Sequence, residues 1–143
     1  MAQDHNRTTI AKAAAAALAI TAAMAGLLPQ AHAQGAVRDV AVVAEADGPQ
    51  AARLGALVTE GIRRSSSMRY KEPASKAQLT VRIATMSAQD AGSIVYSASW
   101  VSTGKDTLID RQLATCDVER IAACADTVVA RTDAVRASLA GKK

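Results

Sequence analysis

Asp106 and Asp110 stand four residues apart in a short stretch that reads as a turn running into a strand. A carboxylate pair can divide acid and base roles or bind a hard cation. The same spacing also suits a turn residue followed by a solvent-facing strand residue, which is the plainer expectation. The other chemistry is thin. Ser65, Ser66, Ser67, Ser97 and Ser99 have no neighbouring base to activate them. Asp47-Gly48-Pro49 lacks the glycines and lysine of a phosphate loop. The only histidines are His5 and His32, both in the first 33 residues. If that stretch is removed, residues 34–143 hold no histidine. Ser-His-Asp and Cys-His catalysis in their usual forms are then excluded, as is a His-ligated zinc site. Two cysteines cannot close a four-cysteine site. No metal and no cofactor are expected.

Removal is what the N-terminus suggests. Arg7 and Lys12 open it, Ala13 to Leu28 is an apolar run of 16 residues, Pro29 breaks it, and Ala31-His32-Ala33 has the small-x-small cleavage pattern. A membrane-spanning helix needs about 20 apolar residues. Residues 1–33 therefore read as a secretory signal peptide and 34–143 as a single small domain, periplasmic or secreted, with no stable membrane anchor after cleavage. The leader contributes Arg7 and Lys12 against Asp4, so a formal net charge of +4 for the chain leaves +3 for residues 34–143. That is too weak to indicate nucleic-acid binding.

Export also bears on Cys116 and Cys124, the only cysteines. An oxidising compartment favours a disulfide between them. Two geometric points oppose it. A helix from Val118 to Cys124 would rise about 9 Å, whereas bridged Cα atoms lie within about 7 Å. Strand parity counted from Ile109 and Leu113 turns Cys116 away from the face that Cys124 meets. The bond is expected on compartment grounds.

The elements that position these residues follow from periodicity. Val37 to Ala46 reads as a strand, apolar on both sides. Gln50 to Arg64 reads as a helix with Ala51, Leu54, Leu57, Val58, Gly61 and Ile62 on one stripe. Ser65 to Lys76 has no period and reads as a loop. Three strands follow, around QLTVRIATM, SIVYSASWVST and TLIDRQLATC, with Gly104 expected to supply the positive φ of the second hairpin. Arg111 interrupts the inward side of the third strand, so either its stem snorkels or a bulge shifts the register. Asp117 suits an N-cap, and Val118 to Ala140 reads as the last helix. The order is β-α-β-β-β-α. It implies an α+β two-layer sandwich, with two helices on one face of a four-stranded, mainly antiparallel sheet.

Three surfaces come out of this layout. Tyr96 and Trp100 share one sheet face with Ile94 and Ala98, and are expected to be core. Arg63, Arg64, Arg69 and Lys71 form a loose basic patch with Tyr70, suited to phosphate, lipid headgroup or an acidic partner, or simply to solvent. The face away from the helices is expected to show Thr80, Arg82, Ser97, Ser99, Asp110 and Gln112, with Val95, Val101 and Leu108 among them. Small hydroxyl and apolar side chains on a flat sheet can receive a protein partner or a second copy.

The element order resembles that of the small β-α-β-β-α periplasmic modules of bacterial envelope proteins, such as the N-terminal domain of TolB. The resemblance lies in element order and transfers no residue. The expected function is that of a non-catalytic, exported envelope module that binds or assists a partner. The competing expectation is a small hydrolase or inhibitor-like protein that acts on envelope polymers through carboxylates.

Overall fold

The computed structural model describes residues 37–45, 48–87 and 92–141. The proposed leader, Ala46 and Asp47, and residues 88–91 of the expected turn lie outside these residues. The described residues form β1 (Asp39–Glu45), α1 (Pro49–Arg64), β2 (Arg69–Tyr70), β3 (Leu79–Ser87), β4 (Ser93–Ser102), β5 (Thr107–Asp117) and α2 (Ile121–Ala140).

The sheet has five strands in the order β2-β1-β3-β4-β5, not the four expected. It is mixed. β1 runs parallel to both β2 and β3, while β3, β4 and β5 form an antiparallel meander. The extra strand is only two residues long and falls in the stretch read as loop. No periodicity can announce so short an element; Arg69 and Lys71 enter the sheet by donating their amides to the carbonyls of Arg38 and Val40.

Both helices cover one face. The α1 stripe buries Ala51, Leu54, Gly55, Val58 and Ile62, and α2 buries Ile121, Ala125, Val128, Thr132 and Val135. Beneath them lie Val40, Leu79, Val81, Ile83, Ile94, Tyr96, Ala98 and Trp100. Trp100 and Tyr96 are core residues, 0% and 2% exposed. The Trp100 indole N–H donates to the Thr132 hydroxyl at 2.8 Å, and that hydroxyl donates to the Val128 carbonyl. This chain satisfies the indole that fills a core containing no phenylalanine.

Two glycines set how closely α1 docks. A Cβ on Gly55 would stand 2.6 Å from Ala44 Cβ, and one on Gly61 2.6 Å from Val129 Cγ2. Neither distance is tolerable, so the bare backbone at these positions lets α1 press onto β1 and α2. Gly48, at φ 98°, precedes Pro49 at the helix start as the local sequence implies. Gly104 does not supply the positive φ of the β4–β5 turn. Asp106 does, at φ 45°; Asp tolerates this region because its short side chain bonds locally.

Candidate functional site

Strand register decides which side chains share a face. Across the sheet, Val43 stands beside Arg82, Arg82 beside Ser99, and Ser99 beside Arg111. The next row is Glu45, Ala84, Ser97 and Leu113, and beyond it Met86, Val95 and Thr115. These rows point away from α1 and α2. Four large apolar side chains are exposed among the described residues, and all four lie on this face: Val43 at 37%, Met86 at 63%, Leu108 at 57% and Leu113 at 66%. Around Arg82, Ser97 and Ser99 the surface dips into a shallow depression of about 340 Å³.

Of the residues expected here, Thr80, Arg82, Ser97 and Ser99 are in place. Thr80 is nearly buried, and its hydroxyl is shared with that of Thr103 at 2.8 Å. Arg82 reaches Asp106 at 3.4 Å, an exposed pair worth little to stability. Asp110 and Gln112 are not on this face. A bulge at Ile109 sits between the Trp100–Asp110 and Val101–Leu108 pairs, and it shifts the alternation of β5 by one residue. Beyond it Asp110, Gln112, Ala114 and Cys116 turn toward the helices, while Arg111, Leu113 and Thr115 turn outward. Arg111 thus needs no snorkelling, and Leu113, expected to face inward, is exposed. The sequence reading missed Arg111, Leu113, Met86 and Val43 as members of the face. For the two β5 residues the signals were the charged residue interrupting an otherwise inward series and the out-of-phase Cys116.

The same bulge removes the carboxylate pair. Asp106 remains by the open face beside Arg82, and Asp110 lies on the helix side, where the Arg131 guanidinium donates to it at 2.7 Å. That hydrogen bond holds the Asp110 carboxyl below its ordinary value, against the opposing effect of burial. Each carboxylate is engaged by its own arginine, on opposite sides of the sheet. Gln112 instead borders a second depression, about 370 Å³, between β5 and α2, where its amide meets the Tyr96 hydroxyl at 3.4 Å. Burial pushes the Tyr96 phenol up.

Cys116 and Cys124 are joined in a disulfide with Cα atoms 6.1 Å apart. Both geometric objections fall. The bulge turns Cys116 inward, and Val118–Arg120 form a single 3-10 turn, so the helix proper begins only at Ile121. Asp117 caps that turn by accepting the Glu119 amide at 3.0 Å.

The basic residues do not converge on one pocket. Arg63 stacks over the Tyr70 ring at 4.7 Å, Arg64 reaches Glu60 at 3.8 Å, and Arg69 is hydrogen-bonded to Asp39. The Arg69 hydrogen bond lowers the Asp39 pKa. Lys71 lies just past β2, at that edge of the sheet.

No family model and no curated protein matches the sequence. Solved structures do match the fold. TolB from Acinetobacter baumannii superimposes with a TM-score of 0.52 at 14% identity over 65% of this chain, which spans only 26% of TolB. Protein XCC0632 from Xanthomonas campestris, of family DUF330, gives 0.52 at 9% identity over 68% of this chain and 84% of its own. The hypothetical protein CT253 from Chlamydia trachomatis gives 0.52 at 9% identity over 71% of this chain and 99% of its own. At such identities the likeness establishes a shared fold.

Proposed function

We propose that this chain is an exported, non-catalytic accessory module of a bacterial envelope that binds a protein partner through the open face of its sheet. The carrying observation is the gathering of every exposed large apolar side chain among the described residues on that one face. Ordinary solvated antiparallel faces are polar, and apolar exposure concentrated on one side marks an interaction surface. Three further points support the reading. The disulfide suits an oxidising compartment. The separation of Asp106 from Asp110 leaves the hydrolase reading without its carboxylate pair. The fold is shared with TolB and with XCC0632. Residues 1–33 are proposed to direct export and to be removed, which predicts Gln34 as the first residue on N-terminal sequencing of exported protein. Recovery of Met1-initiated chain in the membrane fraction would refute removal.

Site-specific photo-crosslinking in intact envelopes tests the surface. A photoreactive residue at Ser97 should form a discrete protein adduct, and one at Ala122, on the outer side of α2, should not. Equal labelling at both positions, or none at Ser97, overturns the assignment.

A further inference from the structure

We infer that the occupant of the open face is a second copy of this chain, packed face to face about a two-fold axis that lies in the interface along the strands. This rests on the reading of that face as a protein-binding surface, and it names the partner. A two-fold interface must be self-complementary, and the rows of the two central strands, β3 and β4, are. Turning one copy over about such an axis lays β3 on β4 of the second copy and β1 on its β5. Met86 then meets Val95, Ala84 meets Ser97, and Arg82 meets Ser99, each pair occurring twice. A long apolar side chain faces an apolar one, a small residue faces a small one, and a guanidinium faces a hydroxyl.

The charges at the margins fit as well. Glu45 on β1 and Arg111 on β5 are exposed, and neither side chain has an ion-pair partner among the described residues. Within one copy they are three inter-strand steps apart, about 14 Å, too far to meet. In the two-fold arrangement Glu45 lies over Leu113 of the second copy, one row from its Arg111, within reach of that long side chain. The contact is made twice. The same transformation therefore matches the opposite charges at the two edges and the apolar pairs at the centre.

The size is adequate for a reversible dimer. Four strands about 4.8 Å apart and seven residues about 3.4 Å apart give roughly 450 Å² of projected face per copy. The pair buries on the order of 1,000 Å², the lower bound for a specific complex. Packed sheets stand about 10 Å apart, which leaves room for the side chains of both faces to interdigitate.

The experiment is sedimentation velocity on the full chain, expressed in a Gram-negative host and purified from its envelope fraction, across concentrations bracketing about 1 to 100 µM. The wild type should pass from monomer to dimer in that range. Glu45→Arg alone and Arg111→Glu alone each place like charges together twice and should weaken the dimer at least about tenfold. The double variant Glu45→Arg/Arg111→Glu restores opposite charges across the interface and should recover most of the loss. Because the two positions are too far apart to pair within one copy, such a rescue can only be intermolecular. Circular dichroism melting confirms that each variant is folded, and Leu113→Asp provides a second disruption on the exposed edge. A wild type that stays monomeric throughout, or a dimer insensitive to all these changes, overturns the inference. Monomer together with a crosslink from Ser97 to a different protein defeats the self-association and leaves the binding-face assignment standing. Loss of both defeats the two together.

Discussion

Replacing Thr132 by valine isolates one hydrogen bond in the core. Thr132 and Trp100 are both 0% exposed, and the indole N–H has the Thr132 hydroxyl as its acceptor at 2.8 Å. Valine keeps the shape of threonine and removes that oxygen. The Val128 carbonyl loses the hydroxyl it accepted from, but the helical amide four residues on still serves it. The indole N–H is left buried with no acceptor, which costs about 1–3 kcal/mol. Thr132→Ser makes the opposite exchange: it keeps the oxygen and removes one methyl, at about 1 kcal/mol. Urea unfolding followed by far-UV circular dichroism should therefore rank Thr132→Val below Thr132→Ser, despite the greater hydrophobicity of valine. In a domain of this size each kcal/mol corresponds to about 4 °C in Tm. On a Trp100→Phe background the N–H no longer exists, and Thr132→Val should then cost about 1 kcal/mol less than it does in the wild type. A valine variant as stable as the wild type, or additive costs in the double variant, would refute the account.

Three further outcomes follow from the packing and the ion pairs. Reducing the Cys116–Cys124 bond, which links residues eight apart, should destabilise the domain by about 2–3 kcal/mol, read as a Tm drop of roughly 10 °C with reductant; an unchanged Tm would mean the bond constrains nothing. Gly55→Ala should cost more than Gly61→Ala, because the new methyl meets the unrotatable Ala44 Cβ in the first case and a Val129 methyl that can turn away in the second; adding Ala44→Gly should recover part of the first loss. Stability should fall on acidification. The Asp39, Asp110 and Asp133 carboxyls are held below their ordinary value of 3.8, the first two by their arginines and Asp133 first by the Ser67 hydroxyl and then by Arg136. Such groups stabilise the fold while ionised, above about pH 4, and that contribution disappears as pH drops through their lowered folded values. Asp110→Asn should be less stable near neutral pH and show a shallower acid dependence; a parallel curve would mean that its contact with Arg131 contributes nothing.

What was legible in the sequence and what was not divides along a physical line. Helices and strands long enough to repeat their burial period were readable: the α1 stripe, the α2 stripe ending near Leu139, and the alternation of β3 and β4 all appear nearly where the spacing places them. The parallel placement of β1, and β2 with it, was not readable, because pairing partners are chosen by tertiary packing and two residues carry no period. The decisive difference is the single inserted residue at Ile109. Alternation in a strand carries one bit of information per residue, and an insertion inverts every later bit. That inversion took Asp110 and Gln112 off the open face, put Arg111 and Leu113 on it, and brought Cys116 round to Cys124. The sequence held two signs of it: a charged Arg111 where the uninterrupted pattern needed an apolar residue, and a Cys116 whose parity turned it away from Cys124. Sliding β5 by one residue beyond that point would have reconciled the arginine and the disulfide at once, at the cost of turning Leu113 outward. A charge out of phase and a cysteine out of phase, five residues apart on one strand, are together better evidence for a bulge than either is for a buried charge or a free thiol.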